Sequence, residues 1–215
     1  MASVFTAENM LFLLEGLKTT LTVAAVSIAI SIVVGTLLGL ARSYSKGVLG
    51  WIATTYIEIF RNTPFLLWIL AIRFLIPIPP FYSSITSFSL FTSAIMAEIV
   101  RSGLNAVGRG QFESAYSQGF TFFQTLWYIV LPQCFRTIVP PMLSQMITVI
   151  KDTSLLWGVQ IEDFTGKGMI LMGKFTTSTQ IFLMFGFMAL VYFLINFTLS
   201  VFVRRTQNKR LSART

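Results

Sequence analysis

Residues Glu113–Gln133 read ESAYSQGFTFFQTLWYIVLPQ, in the middle of a chain that is otherwise mostly apolar. Phe112, Ala115 and Tyr116 recur at i, i+3 and i+4 among Glu113, Ser114, Ser117 and Gln118. That spacing predicts a short amphipathic helix, too short to cross a bilayer. Gly119 suits the C-terminus of such a helix, because glycine accepts the left-handed backbone there. Thr121-x-x-Gln124 has the form of a capping box, so a second helix can begin at once. Pro132 marks the end of that helix or a bend into the next segment. A unit with one apolar and one polar face docks on lipid headgroups or in a groove of a partner. The first helix carries an acid and no Lys or Arg, which anionic lipid disfavours, so a protein groove is the better match.

The surroundings explain why the unit stands out. The chain has 215 residues, of which 54% are hydrophobic and only 11% charged. Twenty-one Phe and nine Met against eight acids exceed what one globular core of this size can hide, and a soluble domain carries about a quarter charged residues. The composition predicts an all-α polytopic membrane protein. With one cysteine, Cys134, no intrachain disulfide can form. With no histidine, metal sites and imidazole acid–base catalysis are not expected. No signal peptide is recognisable, so the first apolar run is expected to be a retained helix.

Five apolar stretches are long enough to cross a bilayer, at about 10–41, 53–77, 84–105, 137–160 and 179–203. The prolines of Ile76–Pro80 break the second. The net charge of +8 concentrates at segment ends: Arg42 and Lys46 after the first run, and Arg204, Arg205, Lys209, Arg210 and Arg214 after the last. This is the positive-inside pattern, so the charge reports topology rather than a nucleic-acid partner. It places the 42–46 turn, the 106–136 connection and the C-terminus in the cytoplasm. The N-terminus and the 161–178 connection are then outside, where Lys167 and Lys174 balance Glu162 and Asp163.

Charges inside apolar runs are costly and mark candidate sites. Glu58 and Arg61 stand three apart just before Thr63-Pro64, and Glu98 and Arg101 repeat that spacing. Each pair can neutralise itself or hold a ligand. Lys151 and Asp152 are adjacent and do not face each other on a helix, so they form either a charged pair at a helix break or part of a site. Arg73 either snorkels to the outer headgroups or supplies a cationic handle.

Residues 113–133 resemble the signature cytoplasmic loop of ATP-binding-cassette (ABC) importer permeases: an E-A-A-like opening at Glu113, Ser114 and Ala115, then Gly119, then an I-x-L-P close at Leu131 and Pro132. GLKTTL (16–21), GTLLGLARS (35–43), YIEIFRNTP (56–64), AEIVRSGLNAVGRGQFESA (97–115), LPQCFRTIVPP (131–141) and KDTSLLW (151–157) resemble, in order, segments of the polar amino acid permease branch. Ser114 replaces the more usual Ala, and Asn62 stands where Gly is common. The resemblance covers about residues 13–205.

The resemblance implies a type I importer permease fold: one transmembrane domain over 1–215, five transmembrane helices and a coupling loop at 106–136. It implies a multi-pass protein of the bacterial inner membrane that works as a homo- or heterodimer with a second permease chain. Glu113, Ser114, Ala115, Gly119, Leu131 and Pro132 would engage a cytoplasmic ATPase dimer, and a periplasmic or surface-tethered solute-binding protein would deliver substrate. ATP would be bound by the partner and no cofactor by this chain, which lacks the phosphate loop G-x-x-x-x-G-K-[ST]. It further implies a substrate pocket that includes Asn62, Thr63, Glu98, Asp152, Thr153 and Ser154. Arg73 occupies a position where an uncharged residue is expected, and DTSLLWGVQIEDF is similar to glutamate/aspartate permeases. Both tilt the expected cargo toward an acidic amino acid, ahead of glutamine. The rival readings are a membrane scaffold that only docks a partner, and a small channel.

Overall fold

A computed structural model describes residues 4–212, with side chains through Arg205. The basic residues Lys209, Arg210 and Arg214 lie outside the described side chains. Every regular element among the described residues is helical: α1 (Ala7–Tyr44), α2 (Val48–Arg61), α3 (Phe65–Leu75), α4 (Pro80–Asn105), α5 (Arg109–Ser117), α6 (Phe122–Thr125), α7 (Leu131–Asp152), α8 (Phe164–Met172) and α9 (Ser178–Ser212). A π-helical turn, Leu126–Val130, joins α6 to α7, and a 3-10 segment, Thr153–Val159, follows α7.

By length and composition, three of the described helices can cross a membrane: Ala7–Tyr44, Pro80–Asn105 and Ser178–Arg205. The other two apolar stretches are not single helices. The 53–77 stretch is broken at Asn62–Pro64, because proline cannot donate to the preceding turn. The 137–160 stretch starts earlier, at Leu131, and tightens into 3-10 helix after Asp152. The 161–178 connection contains the helix α8. Pro132 does not end the second helix of the docking unit. The chain passes through the π-helical turn, where the Leu131 N–H reaches back to the Leu126 carbonyl, and continues as α7. A widened turn accommodates a ring that would clash in a regular α-helix.

The chain forms two compact units. The first comprises residues 1–29, 65–89 and 146–215. One apolar cluster there joins Val23 and Ala24 of α1, Ile69 of α3, Phe88 of α4 and Val149 of α7 to Leu156 and Val159 of the 3-10 segment. Phe65 and Phe88 meet edge to face with ring centroids 4.6 Å apart. A second cluster packs Leu13 of α1 with Phe164 and Leu171 of α8 and Met184 and Met188 of α9. Gly16 permits the close approach of α1 to the start of α8, since a Cβ there would lie 2.8 Å from the Asp163 carbonyl oxygen. Asp163 caps α8: its Oδ1 accepts from Gly166 N at 2.8 Å and its Oδ2 from Thr165 N at 3.3 Å. Thr20 of α1 accepts from Phe164 N at 3.1 Å. Lys167, buried under the Phe12 ring, reaches Glu15 at 2.6 Å rather than balancing Glu162 and Asp163.

The second unit comprises residues 30–64 and 90–145. Here α1 and α4 touch through Gly39, where a Cβ would lie 2.7 Å from the Ala97 carbonyl oxygen. Tyr56 of α2 donates to the Leu90 carbonyl at 2.7 Å and meets the Ser93 hydroxyl at 2.8 Å.

Candidate functional site

Residues 113–133, the expected docking unit, lie wholly in the second unit. α5 ends in two capping bonds, Phe120 N to the Ala115 carbonyl at 3.1 Å and Gly119 N to the Tyr116 carbonyl at 3.0 Å. This is a Schellman closure, and it places Gly119 at φ +82°. The capping box forms as the sequence predicts: Thr121 N donates to Gln124 Oε1 at 2.8 Å, and Gln124 N donates to Thr121 Oγ1 at 3.4 Å. Tyr44, at the end of α1, supports both short helices, with ring centroids 6.5 Å from Phe112 and 5.4 Å from Phe122. Gln133 of α7 donates to Gln111 of α5 at 3.1 Å.

This packing sorts the expected docking residues. Ala115 is buried, Leu131 is half-buried, and Glu113, Ser114, Gly119 and Pro132 are exposed. Tyr116 departs from the periodicity: it is 48% exposed, and Phe123, Trp127 and Tyr128 are exposed as well. The unit therefore presents an acid, a small hydroxyl and several aromatic rings, but α5 starts at the exposed Arg109, earlier than the apolar spacing predicts, so the first helix does carry a cation.

The same unit contains an ionic cluster at Glu98. Arg42 Nη1 lies 3.3 Å from Glu98 Oε2, and Arg42 Nη2 lies 2.6 Å from Glu58 Oε1. Arg61 approaches Glu98 at 3.6 Å, and Arg101 binds it at i,i+3 spacing. The Glu98–Arg101 pair thus forms within α4 as its spacing predicts. Glu58 and Arg61 instead form cross-helix ion pairs, Glu58 with Arg42 and Arg61 with Glu98. The cluster counts three guanidiniums and two carboxylates, a surplus of one positive charge. A cavity of about 330 Å³ opens beside it, lined by Arg61, Glu98, Ser102 and Thr137 with Ile95 and Pro141. Arg61 is the most loosely held cation on its charged wall, whereas both Glu98 oxygens are already taken by guanidiniums.

Asn62, Thr63 and Glu98 of the expected substrate pocket belong to this unit. Asn62 caps α2 and joins the cluster indirectly, donating from Nδ2 to Glu58 Oε2 at 2.9 Å. The Thr63 hydroxyl donates to the Ile59 carbonyl at 2.7 Å. Arg42 was legible in the sequence only as a topology signal; nothing local marks it as the bridge to residues 16 and 56 positions away.

Arg73, Asp152, Thr153 and Ser154 belong to the first unit. Asp152 ends α7 half-buried. The hydroxyls of Thr153 and Ser154 donate back to the Ile150 and Lys151 carbonyls, each at 2.8 Å, which fixes the tight turn. α3 packs against this 3-10 segment, and Ile69, one turn before Arg73, shares its apolar cluster. The Arg73 Nε is buried without a hydrogen-bond partner, and its guanidinium carbon lies 5.7 Å from the Phe74 ring centroid.

In the 161–178 connection, burial pushes the Asp163 carboxyl up to about 6, against the lowering effect of the backbone N–H groups it caps.

A sequence profile described as "binding-protein-dependent transport system inner membrane component" matches residues 19–211. The chain is 36% identical over 208 residues to the probable glutamine ABC transporter permease protein GlnP of Bacillus subtilis (strain 168), covering 94% of this chain and 95% of that protein. It is 32% identical over 205 residues to the glutamate/aspartate import permease protein GltK of Escherichia coli O157:H7, covering 89% and 90%. Among solved structures, that of an amino acid ABC transporter with histidines superposes with TM-score 0.85 at 26% identity, covering 94% of this chain and 95% of that one.

Proposed function

The chain belongs to the family of binding-protein-dependent transport system inner membrane components, and from that membership we propose that it is the membrane-spanning subunit of an importer for a polar amino acid. In this reading residues 1–215 form one permease domain with five membrane crossings, to which residues 48–75 and 131–160 contribute the second and fourth. The N-terminus lies outside and the C-terminus in the cytoplasm. A second permease chain completes the pathway, a solute-binding protein supplies substrate, and a cytoplasmic ATPase dimer drives alternation between outward- and inward-facing states. This chain hydrolyses nothing and needs no cofactor of its own.

The observation that carries the reading is the α5–α6 unit. A nine-residue helix is closed at both of its following turns by its own capping bonds and supported from beneath by Tyr44. Glu113 and Ser114 are left free to enter a partner cleft. Such a rigid, exposed element transmits a push, whereas a plain loop would absorb it.

The cargo we infer is an acidic amino acid, with glutamine next. Relatives named for glutamine and for glutamate/aspartate support this range, as do the surplus cation beside Glu98 and the unpaired Arg73 Nε. Asn62, Thr63, Glu98, Arg73, Asp152, Thr153 and Ser154 remain the residues assigned to substrate. The test is uptake of labelled glutamate, aspartate and glutamine into proteoliposomes holding this chain, its ATPase and its binding protein. ATP-dependent uptake of any of these supports the reading. Flux without ATP would indicate a channel, and no uptake together with no substrate-stimulated ATP hydrolysis would indicate a docking scaffold.

A further inference from the structure

The apolar helix α9 carries Tyr192, Asn196 and Ser200 at i, i+4 and i+8, a polar stripe along one face. Within the first unit this stripe and Lys151 of α7 line a cavity of about 420 Å³, which the Phe193 and Phe197 side chains also border. Those two rings stack, 5.4 Å apart and inclined by 18°.

Two groups here are incompletely matched. Among the described residues no carboxylate forms an ion pair with Lys151. Asn196 donates from Nδ2 to the Tyr192 carbonyl at 2.7 Å, but its Oδ1 is buried and accepts nothing. A lysine ammonium and an orphaned amide oxygen beside one cavity are an unfilled donor and an unfilled acceptor. An amino acid zwitterion supplies both missing partners, a carboxylate for Lys151 and an ammonium for Asn196 Oδ1.

Depth in the membrane selects this occupant over a lipid headgroup. At ~1.5 Å rise per residue, Asn196 stands ~12 Å along α9 from Arg204 and ~27 Å from Ser178. Phosphates lie beyond a hydrocarbon core ~30 Å thick, so the cavity falls well inside it. The adjacent Asp152 acts on Lys151 electrostatically without pairing with it, which leaves the ammonium able to bind a carboxylate arriving by a water-accessible route.

We propose that Lys151 and Asn196, with Tyr192 alongside, form a zwitterion-binding subsite between α7 and α9, through which the amino acid passes. This rests on the amino acid importer reading and adds specificity-determining residues to it. Lys151 reads the carboxylate common to all amino acids, and the stacked Phe193 and Phe197 rings wall the side-chain end.

The test compares wild type, K151Q, K151R and N196L in proteoliposomes containing the ATPase and binding protein. For the best-transported amino acid, K151Q raises KM for uptake at least tenfold while the maximal rate falls less than threefold. K151R restores most of the affinity, and N196L raises KM about fivefold. Wild type rejects the decarboxylated amine of its substrate, and K151Q narrows that discrimination. An unchanged KM in K151Q, or a fall in maximal rate alone, overturns the proposal. So does a KM shift seen only in vesicles with anionic lipid, or cross-linking of K151C to a second copy of the chain. If K151Q fails to assemble, N196L carries the test through its own fivefold rise in KM, and an unchanged KM there overturns the proposal. Absence of uptake by wild type refutes the importer reading itself, whereas wild-type uptake with an unshifted KM in the variants refutes only the subsite.

Discussion

Arg42 bridges Glu58 and Glu98, its Nη2 2.6 Å from the first and its Nη1 3.3 Å from the second. One guanidinium near the end of α1 thus ties α2 to α4 in the second unit. A planar fork can hold two carboxylates at once, which an ammonium does less well. Arg42→Gln removes both contacts, but Glu98 keeps Arg61 and Arg101, so the loss through Glu98 is about 1–2 kcal/mol rather than that of a stranded charge. The expected result is a lowered Tm in detergent, with Arg42→Lys recovering only part of it. An unchanged Tm in Arg42→Gln would remove the bridge from the list of stabilising contacts.

Gly39 is required by proximity rather than by its backbone angles. A methyl group there meets the Ala97 carbonyl oxygen at 2.7 Å and the Val100 Cβ at 2.9 Å, both poorly able to move. Gly39→Val should cost about 1–3 kcal/mol through overpacking and lower the yield of monodisperse protein. Gly108→Ala is the control, since a Cβ there meets nothing. Equal yields of the two variants would contradict the close α1–α4 contact.

Gly119 sits at φ +82° between α5 and α6. A β-branched residue is strained there, so Gly119→Val should cost at least ~1–2 kcal/mol locally and disorder the docking helix while leaving the apolar clusters of the first unit intact. The exposed Glu113 gives a gentler perturbation. Glu113→Arg should reduce ATP-driven uptake more than tenfold without altering the Tm of the isolated permease. Retention of full coupling in that variant would remove α5 from the path of force.

Asp163 gives a pH signature. Its carboxyl titrates near 6 when folded, above its ordinary value of 3.8. The folded protein therefore holds a proton that the unfolded chain has released between these values. The stabilisation is complete below about 3.8 and is lost as pH rises through about 6. Thermal unfolding between pH 4 and pH 8 should show stability falling over that window. Asp163→Asn keeps an oxygen to cap Gly166 N and should flatten the profile, with higher Tm than wild type above pH 6. A slope that survives in Asp163→Asn would assign it to another group.

Several features were legible because they are decided within four or five residues of chain. The apolar runs, the Glu98–Arg101 pair, the Gly119 helix end and the Thr121–Gln124 capping box all depend on local geometry. The resemblance carried by residues 113–133 is likewise local, because it rests on a short run of residues read in order. The π-helical turn before Pro132 escaped local reading, since proline forbids the regular bond without saying whether the helix stops or widens.

Tertiary packing decided the rest. Glu58 and Arg61 share a helix face, yet their ion partners are Arg42 and Glu98, because helix packing placed those charges nearer. Lys167 lies beside acids in the sequence but pairs with Glu15, 152 positions away. Lys151 is marked in the sequence only as the neighbour of Asp152, and nothing local links it to the Tyr192–Asn196–Ser200 stripe until α7 and α9 make them walls of one cavity. The sequence by itself settled that the chain is apolar and helical, where the Gly119 helix end and the Thr121–Gln124 cap fall, and which family the chain resembles. Which charges meet was settled only by the fold: an ion pair depends on distance through space, and no local pattern encodes that for residues on different helices.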